Sequence, residues 1–106
     1  MSEWIDVGLV DEIPPGTHKV TDADGVMIAV FNVDGKLYAI EDVCTHDGGI
    51  LTGGPMNGCI ITCPRHGATF DIRSGEALTA PAYEPTATFP IRIQDGMVQT
   101  KDDRWD

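Results

Sequence analysis

Two short Cys/His pairs constrain this chain more than any other feature: Cys44-Thr-His46 and Cys63-Pro-Arg-His66, with sixteen residues between them. Both sit in loops rich in glycine, with Gly48 and Gly49 after the first pair and Gly67 after the second. Each pair offers one soft thiolate and one imidazole, so the set is two sulfurs and two nitrogens. Cys-x-His and Cys-x-x-His spacings make tight turns that present both side chains to one metal centre. The residues between the pairs are enough to cross a domain and bring the second loop beside the first.

That donor set fits a 2Fe–2S cluster of mixed ligation, two cysteines on one iron and two histidines on the other. A mononuclear zinc site also uses cysteine and histidine, but the common finger order puts two cysteines first and two histidines later. Here the order is Cys-His, then Cys-His. Packed or exposed side chains with no metal are the third reading, and two convergent glycine-rich loops argue against it.

The text around the donors, Cys44-Thr-His46-Asp-Gly-Gly and Cys63-Pro-Arg-His66-Gly-Ala-Thr-Phe-Asp, resembles that of Rieske iron–sulfur proteins. The nearest resemblance is to the small soluble Rieske ferredoxins that feed electrons to multicomponent aromatic-ring dioxygenases. It continues into Thr79-Ala80-Pro81-Ala82, the proline loop expected to cover the cluster, and into Thr88-Phe89-Pro90-Ile91, and is strongest over residues 41–93. The resemblance implies Cys44 and Cys63 on the inner iron and His46 and His66 on the outer one. It implies a monomeric carrier that docks transiently with an NAD(P)H-dependent ferredoxin reductase and a terminal oxygenase. Leu51 and Pro81 are then expected as apolar contacts beside the two histidines. A Rieske-type small subunit of an assimilatory NAD(P)H nitrite reductase is the alternative.

Departures from the high-potential Rieske pattern carry information too. Respiratory relatives have an extra cysteine in each loop, joined as a disulfide; the matching residues here are Gly49 and Arg65. They also set a serine and a tyrosine hydroxyl against cluster sulfurs, where this chain has Ala68 and Phe70. Hydrogen bonds to sulfur stabilise the reduced, more negative cluster, so their loss lowers the potential. Asp47 pushes the same way if it faces the metal. The expectation is a potential near the low end of the Rieske range, about −150 mV.

A chain of 106 residues fits one domain, since domains mostly run to about 100–150 residues. No stretch approaches the roughly 20 apolar residues of a membrane span. The start, Met1-Ser-Glu-Trp-Ile-Asp, has neither a basic region nor an apolar run, so the expected location is the cytoplasm. A net charge of −10 argues against nucleic acid as a partner, and suits attraction to a basic docking face. Cys59, the third cysteine, reads as a small buried hydrophobe, and an odd count argues against a disulfide framework. With His46 and His66 committed, only His18 remains, an expected exposed strand residue. One free histidine cannot build the two-His, one-carboxylate iron site of an oxygenase. No G-x-G-x-x-G fingerprint is present, so the chain reads as a carrier and not an enzyme.

Strand signals dominate the rest. Apolar or β-branched runs cover residues 4–7, 18–21, 26–31, 36–40, 59–62, 68–72, 87–93 and 97–100. Asp34-Gly35 and Asp95-Gly96 join neighbouring runs, the strongest short-range hairpin signal. Asp24-Gly25, Asn57-Gly58 and Arg73-Ser-Gly75 mark further turns, and 11–13 allows one helical turn before Pro14. Seven prolines and twelve glycines leave no long helical window. The expected fold is all-β and Rieske-like: a base of antiparallel sheets from residues 1–41 and 85–106, two packed sheets or a flattened barrel. A small β subdomain of about 42–84, inserted between those segments, carries the cluster. The tail 101–106 has Trp105 as its expected anchor.

Overall fold

Three Asp-Gly pairs fold the chain back on itself in the computed structural model, which describes residues 3–106. Met1 and Ser2, the first residues of the stretch read for a targeting signal, lie outside the described residues. Asp24, Asp34 and Asp95 take φ of 57°, 53° and 53°, and Gly25, Gly35 and Gly96 follow at 90°, 90° and 79°. Two successive positive φ values make the primed turn whose twist matches paired strands. These turns close the hairpins β2 (His18–Ala23) to β3 (Val26–Val33), β3 to β4 (Lys36–Glu41), and β9 (Ile91–Gln94) to β10 (Met97–Thr100).

The fold is all-β and antiparallel, in three sheets. One has the order β1 (Ile5–Leu9), β10, β9; the second runs β2, β3, β4, β8 (Thr88–Phe89). The smallest is β5 (Met56–Asn57), β6 (Ile60–Thr62), β7 (Thr69–Asp71). A single 3-10 turn, Val10–Glu12, precedes Pro14, and among the described residues there is no α-helix.

Strand β3 explains how the sheets stack. Its continuous apolar run does not alternate because both of its faces are buried. Ile28 and Val30 point into a core with Val7, Ala39, Phe89 and Val98, between the two larger sheets. Ala29 and Phe31 point the other way, into a core with Ile40, Cys44, Leu51, Ile61, Cys63 and Phe70. The β3–β4 hairpin is therefore the middle layer, and its second face is the floor on which the Cys/His loops rest.

Four expectations need correction. The run 87–93 is not one strand: Pro90, which has no N–H to donate, divides it. β8 pairs with β4, whereas β9 pairs with β10 in the other sheet. The Asn57-Gly58 turn is shifted by one, because Asn57 still pairs with Ile60. Trp105 anchors nothing, being 86% exposed. Arg104 holds the tail instead, with Nη1 3.1 Å from Glu41 Oε1 and its guanidinium 5.2 Å from the Phe89 ring. Cys59 is only half-buried, against the edge of the Cys/His core. His18 is exposed on β2 as expected, tilted against Phe31.

Candidate metal centre

The two Cys/His loops are built alike. The Cys44 N–H donates to the Gly49 carbonyl at 2.7 Å, and the Gly48 N–H donates back to the Cys44 carbonyl at 2.7 Å. In the second loop the Cys63 N–H donates to Ala68 and the Gly67 N–H to Cys63, at 2.7 and 3.1 Å. Both pairs of bonds have the same offsets, five and four residues from the cysteine. Gly48 and Gly67 have φ of 76° and 78°, which an L side chain rarely adopts. A Cβ on either would meet no protein atom within 4 Å, so backbone angle rather than space requires glycine there.

This shared turn separates sulfur from nitrogen. Cys44 and Cys63 are 0% and 1% exposed, packed with Leu51, Ala68, Phe70 and Ala82. His46 and His66 stand above them at the surface, ring centroids 5.1 Å apart and nearly perpendicular. The two thiols lie within 4.8 Å of one another, as do the two imidazoles. Asp47 is grouped with each pair, its carboxylate within that distance of both. None of the three cysteines forms a disulfide.

Burial pushes the Cys44 thiol above its ordinary range, and the adjacent Cys63 adds to this. The backbone N–H groups of His46 and Asp47 pull the other way. The net effect favours the neutral Cys44 thiol, and the amide N–H groups near its sulfur are the contacts that would offset the charge of a thiolate there. The Gly49 N–H, aided by the charge on Arg65, holds the Asp47 carboxyl below the usual carboxylate range.

Several supporting contacts escaped the sequence reading. Asp42, 8% exposed, accepts hydrogen bonds from Leu51 N–H, Thr52 N–H and Thr52 Oγ1 at 2.9, 2.8 and 2.6 Å, closing the base of the first loop. Thr45 Oγ1 donates to the Glu84 carbonyl at 2.6 Å, and Thr69 bonds Thr79 through both its N–H and its hydroxyl. The proline loop, with a cis Ala80–Pro81 peptide, is thereby tied to both Cys/His loops. Only the closed fold reveals these bonds, since the partners are 9 to 39 residues apart.

Two expectations about surroundings change. Leu51 is 0% exposed, so it shields the thiols and offers nothing to a partner. Ile50 and Tyr83, at 63% and 83% exposure, are the large apolar side chains near the two loops that solvent reaches. No disulfide links positions 49 and 65; instead Arg65 crosses from the second loop to the first, its Nε 3.0 Å from Asp47 Oδ2.

A buried thiol pair beside an exposed imidazole pair offers the donor atoms for a mixed sulfur–nitrogen metal centre near the protein surface. The chain belongs to the Rieske [2Fe-2S] domain family, which it matches over residues 3–90. It is 35% identical to the ferredoxin component of the naphthalene 1,2-dioxygenase/salicylate 5-hydroxylase systems of Ralstonia sp., over 92% of this chain and 94% of that one. It is 38% identical to the biphenyl dioxygenase ferredoxin subunit of Pseudomonas sp. (strain KKS102), over 80% and 79%. A chain in the solved complex of reduced oxygenase and oxidised ferredoxin in carbazole 1,9a-dioxygenase superposes with a TM-score of 0.86 at 31% identity, covering 92% of each chain. The cofactor of this protein is accordingly a Rieske 2Fe–2S cluster, and its role is electron carriage rather than catalysis.

Proposed function

We propose that Cys44 and Cys63 bind the inner iron and His46 and His66 the outer iron of the cluster, on a cluster-binding unit of residues 42–84. In this reading the protein shuttles electrons from an NAD(P)H-dependent reductase to a terminal ring-hydroxylating oxygenase. The observation that carries it is the vertical order of the site: thiols buried, imidazoles at the surface. Bound by these residues, the cluster would supply one-electron redox chemistry.

The chain's own residues do the rest. Cys44 and Cys63, with Leu51, Phe70 and Ala82 around them, keep water from the inner side. Neutral His46 and His66 lower the negative charge of the site relative to four thiolates, which raises its potential. Their exposed edges shorten the path an electron takes to a partner. Ile50, exposed just past the first Cys/His loop, and Tyr83 and the half-buried Pro81 of the proline loop offer a small apolar area, the kind of face that forms and releases quickly. Work as a monomer in the cytoplasm fits this reading, and no helix among the described residues is long and apolar enough to cross a membrane. None of the relatives reported above favours the nitrite reductase alternative.

The test is reconstitution. Purified protein, added to candidate reductases and terminal oxygenases, is expected to couple NADH oxidation to hydroxylated product with at least one pair. Failure with every oxygenase, beside coupling to nitrite reduction, overturns the reading. Pro81→Glu is expected to slow electron transfer while leaving the absorption spectrum intact.

A further inference from the structure

Asp47 and Arg65 lie on different loops, one residue after His46 and one before His66. Arg65 Nε sits 3.0 Å from Asp47 Oδ2, and the same oxygen is 3.6 Å from His66 Nε2. The other carboxylate oxygen accepts the Gly49 N–H at 2.9 Å, so the acid is fixed at both ends. Its side chain keeps only 19% of its exposure. Arg65 reaches it by running over Gly49, where a Cβ would stand 2.8 Å from Arg65 Cδ and 3.0 Å from Asp47 Oδ1. Here, unlike at Gly48, space is what glycine provides. Three residues not assigned as ligands thus form one contact across the two loops. No backbone hydrogen bond described at the tip joins loop 44–49 to loop 63–68.

We propose that Asp47 and Arg65 form a charged clasp that locks the two ligand loops together across the His46–His66 tip. Both are positioning residues, and the proposal rests on the ligand assignment made above. The clasp holds the imidazoles at their mutual spacing, and Arg65 offsets the carboxylate that faces them. Gly49 is its third part, because any side chain there pushes the arginine off its path. A guanidinium on a fixed carboxylate keeps a preferred geometry that a lysine ammonium does not impose. An ion pair at the surface also weakens as salt screens it.

The test uses the cluster-loaded protein and follows loss of visible absorption under a chelator, for wild type, Arg65→Gln, Asp47→Asn and the double variant. Each single variant is expected to lose its cluster several-fold faster than wild type, and the double variant no faster than the worse single, since one contact is lost in all three. Arg65→Lys is expected to recover part of the lifetime. Gly49→Ala, which changes no charge, is expected to behave like Arg65→Gln. High salt is expected to bring wild type towards the variants. Potentials supply a readout that loosening alone would not move: Arg65→Gln leaves Asp47 uncompensated and lowers the potential, while Asp47→Asn raises it. Independent, multiplicative effects on lifetime, or potentials that shift in the same direction, overturn the clasp. Rieske-type spectra retained in every variant leave the ligand assignment standing in that case, whereas wild-type protein without such a spectrum defeats the ligand assignment itself.

Discussion

At the scale of single residues, the site is governed by what the side chains around the sulfurs can donate. Ala68 and Phe70 are both 0% exposed and packed with Cys44 and Cys63, and neither carries a hydroxyl. Ala68→Ser and Phe70→Tyr are each expected to raise the potential if the new hydroxyl reaches a sulfur. A hydrogen bond to a charged group contributes about 1.5–3 kcal/mol. Only the difference between oxidation states moves a one-electron potential, so a shift of some tens of millivolts is expected. Protein-film voltammetry measures it, and an unchanged potential in the double variant contradicts the account of the low-potential site. The convergence of the two thiols and of the two imidazoles was legible in the sequence, because Cys-x-His and Cys-x-x-His announce a turn and a proposed donor set together. Asp42 and Thr45 were not legible. An aspartate two residues before a cysteine looks like any surface acid until the chain returns Leu51 and Thr52 to it.

At the scale of elements, the hairpins followed from local chemistry and the stacking did not. Asp-Gly at 24–25, 34–35 and 95–96 dictates positive φ at both positions, whatever surrounds it. Pro90 was visible in the sequence, but its consequence was not. A proline inside an apolar run reads as a weak strand, and only the presence of two sheets turns it into a crossover between them. The third sheet hangs on a similar joint. Gly75, with φ of 78°, accepts the Thr86 N–H at 2.8 Å, and a Cβ there would strike the Thr86 carbonyl oxygen. Gly75→Ala is therefore expected to cost more than about 1 kcal/mol of stability, read as a lower denaturation midpoint. An unaltered midpoint would mean that this end of the sheet yields freely.

At the scale of the whole molecule, charge links stability to pH and the carrier to its partners. Hydrogen bonds from Arg104 hold the Asp102 carboxyl below the usual carboxylate range. A depressed folded pKa stabilises the fold above the unfolded value, about 3.9 for aspartate. That stabilisation is lost as pH falls through the lower folded value. Arg104→Ala is expected to lower Tm at pH 7, with the gap to wild type closing below about pH 4; a constant gap across that range contradicts the ion-pair origin. The net charge of −10 is expected to make electron transfer to an acceptor with a basic docking face slow down as salt rises. Stopped-flow reduction across a salt series checks this, and a flat series counts against charge steering. The central claim is the mixed ligand set, and pulsed EPR of the reduced protein labelled with 15N-histidine reads it directly. Wild type is expected to show couplings from two histidine nitrogens, and His66→Cys one, with a lower potential because an anionic ligand replaces a neutral one. Two couplings persisting in His66→Cys, or a colourless zinc-bound wild type after anaerobic expression, would contradict it.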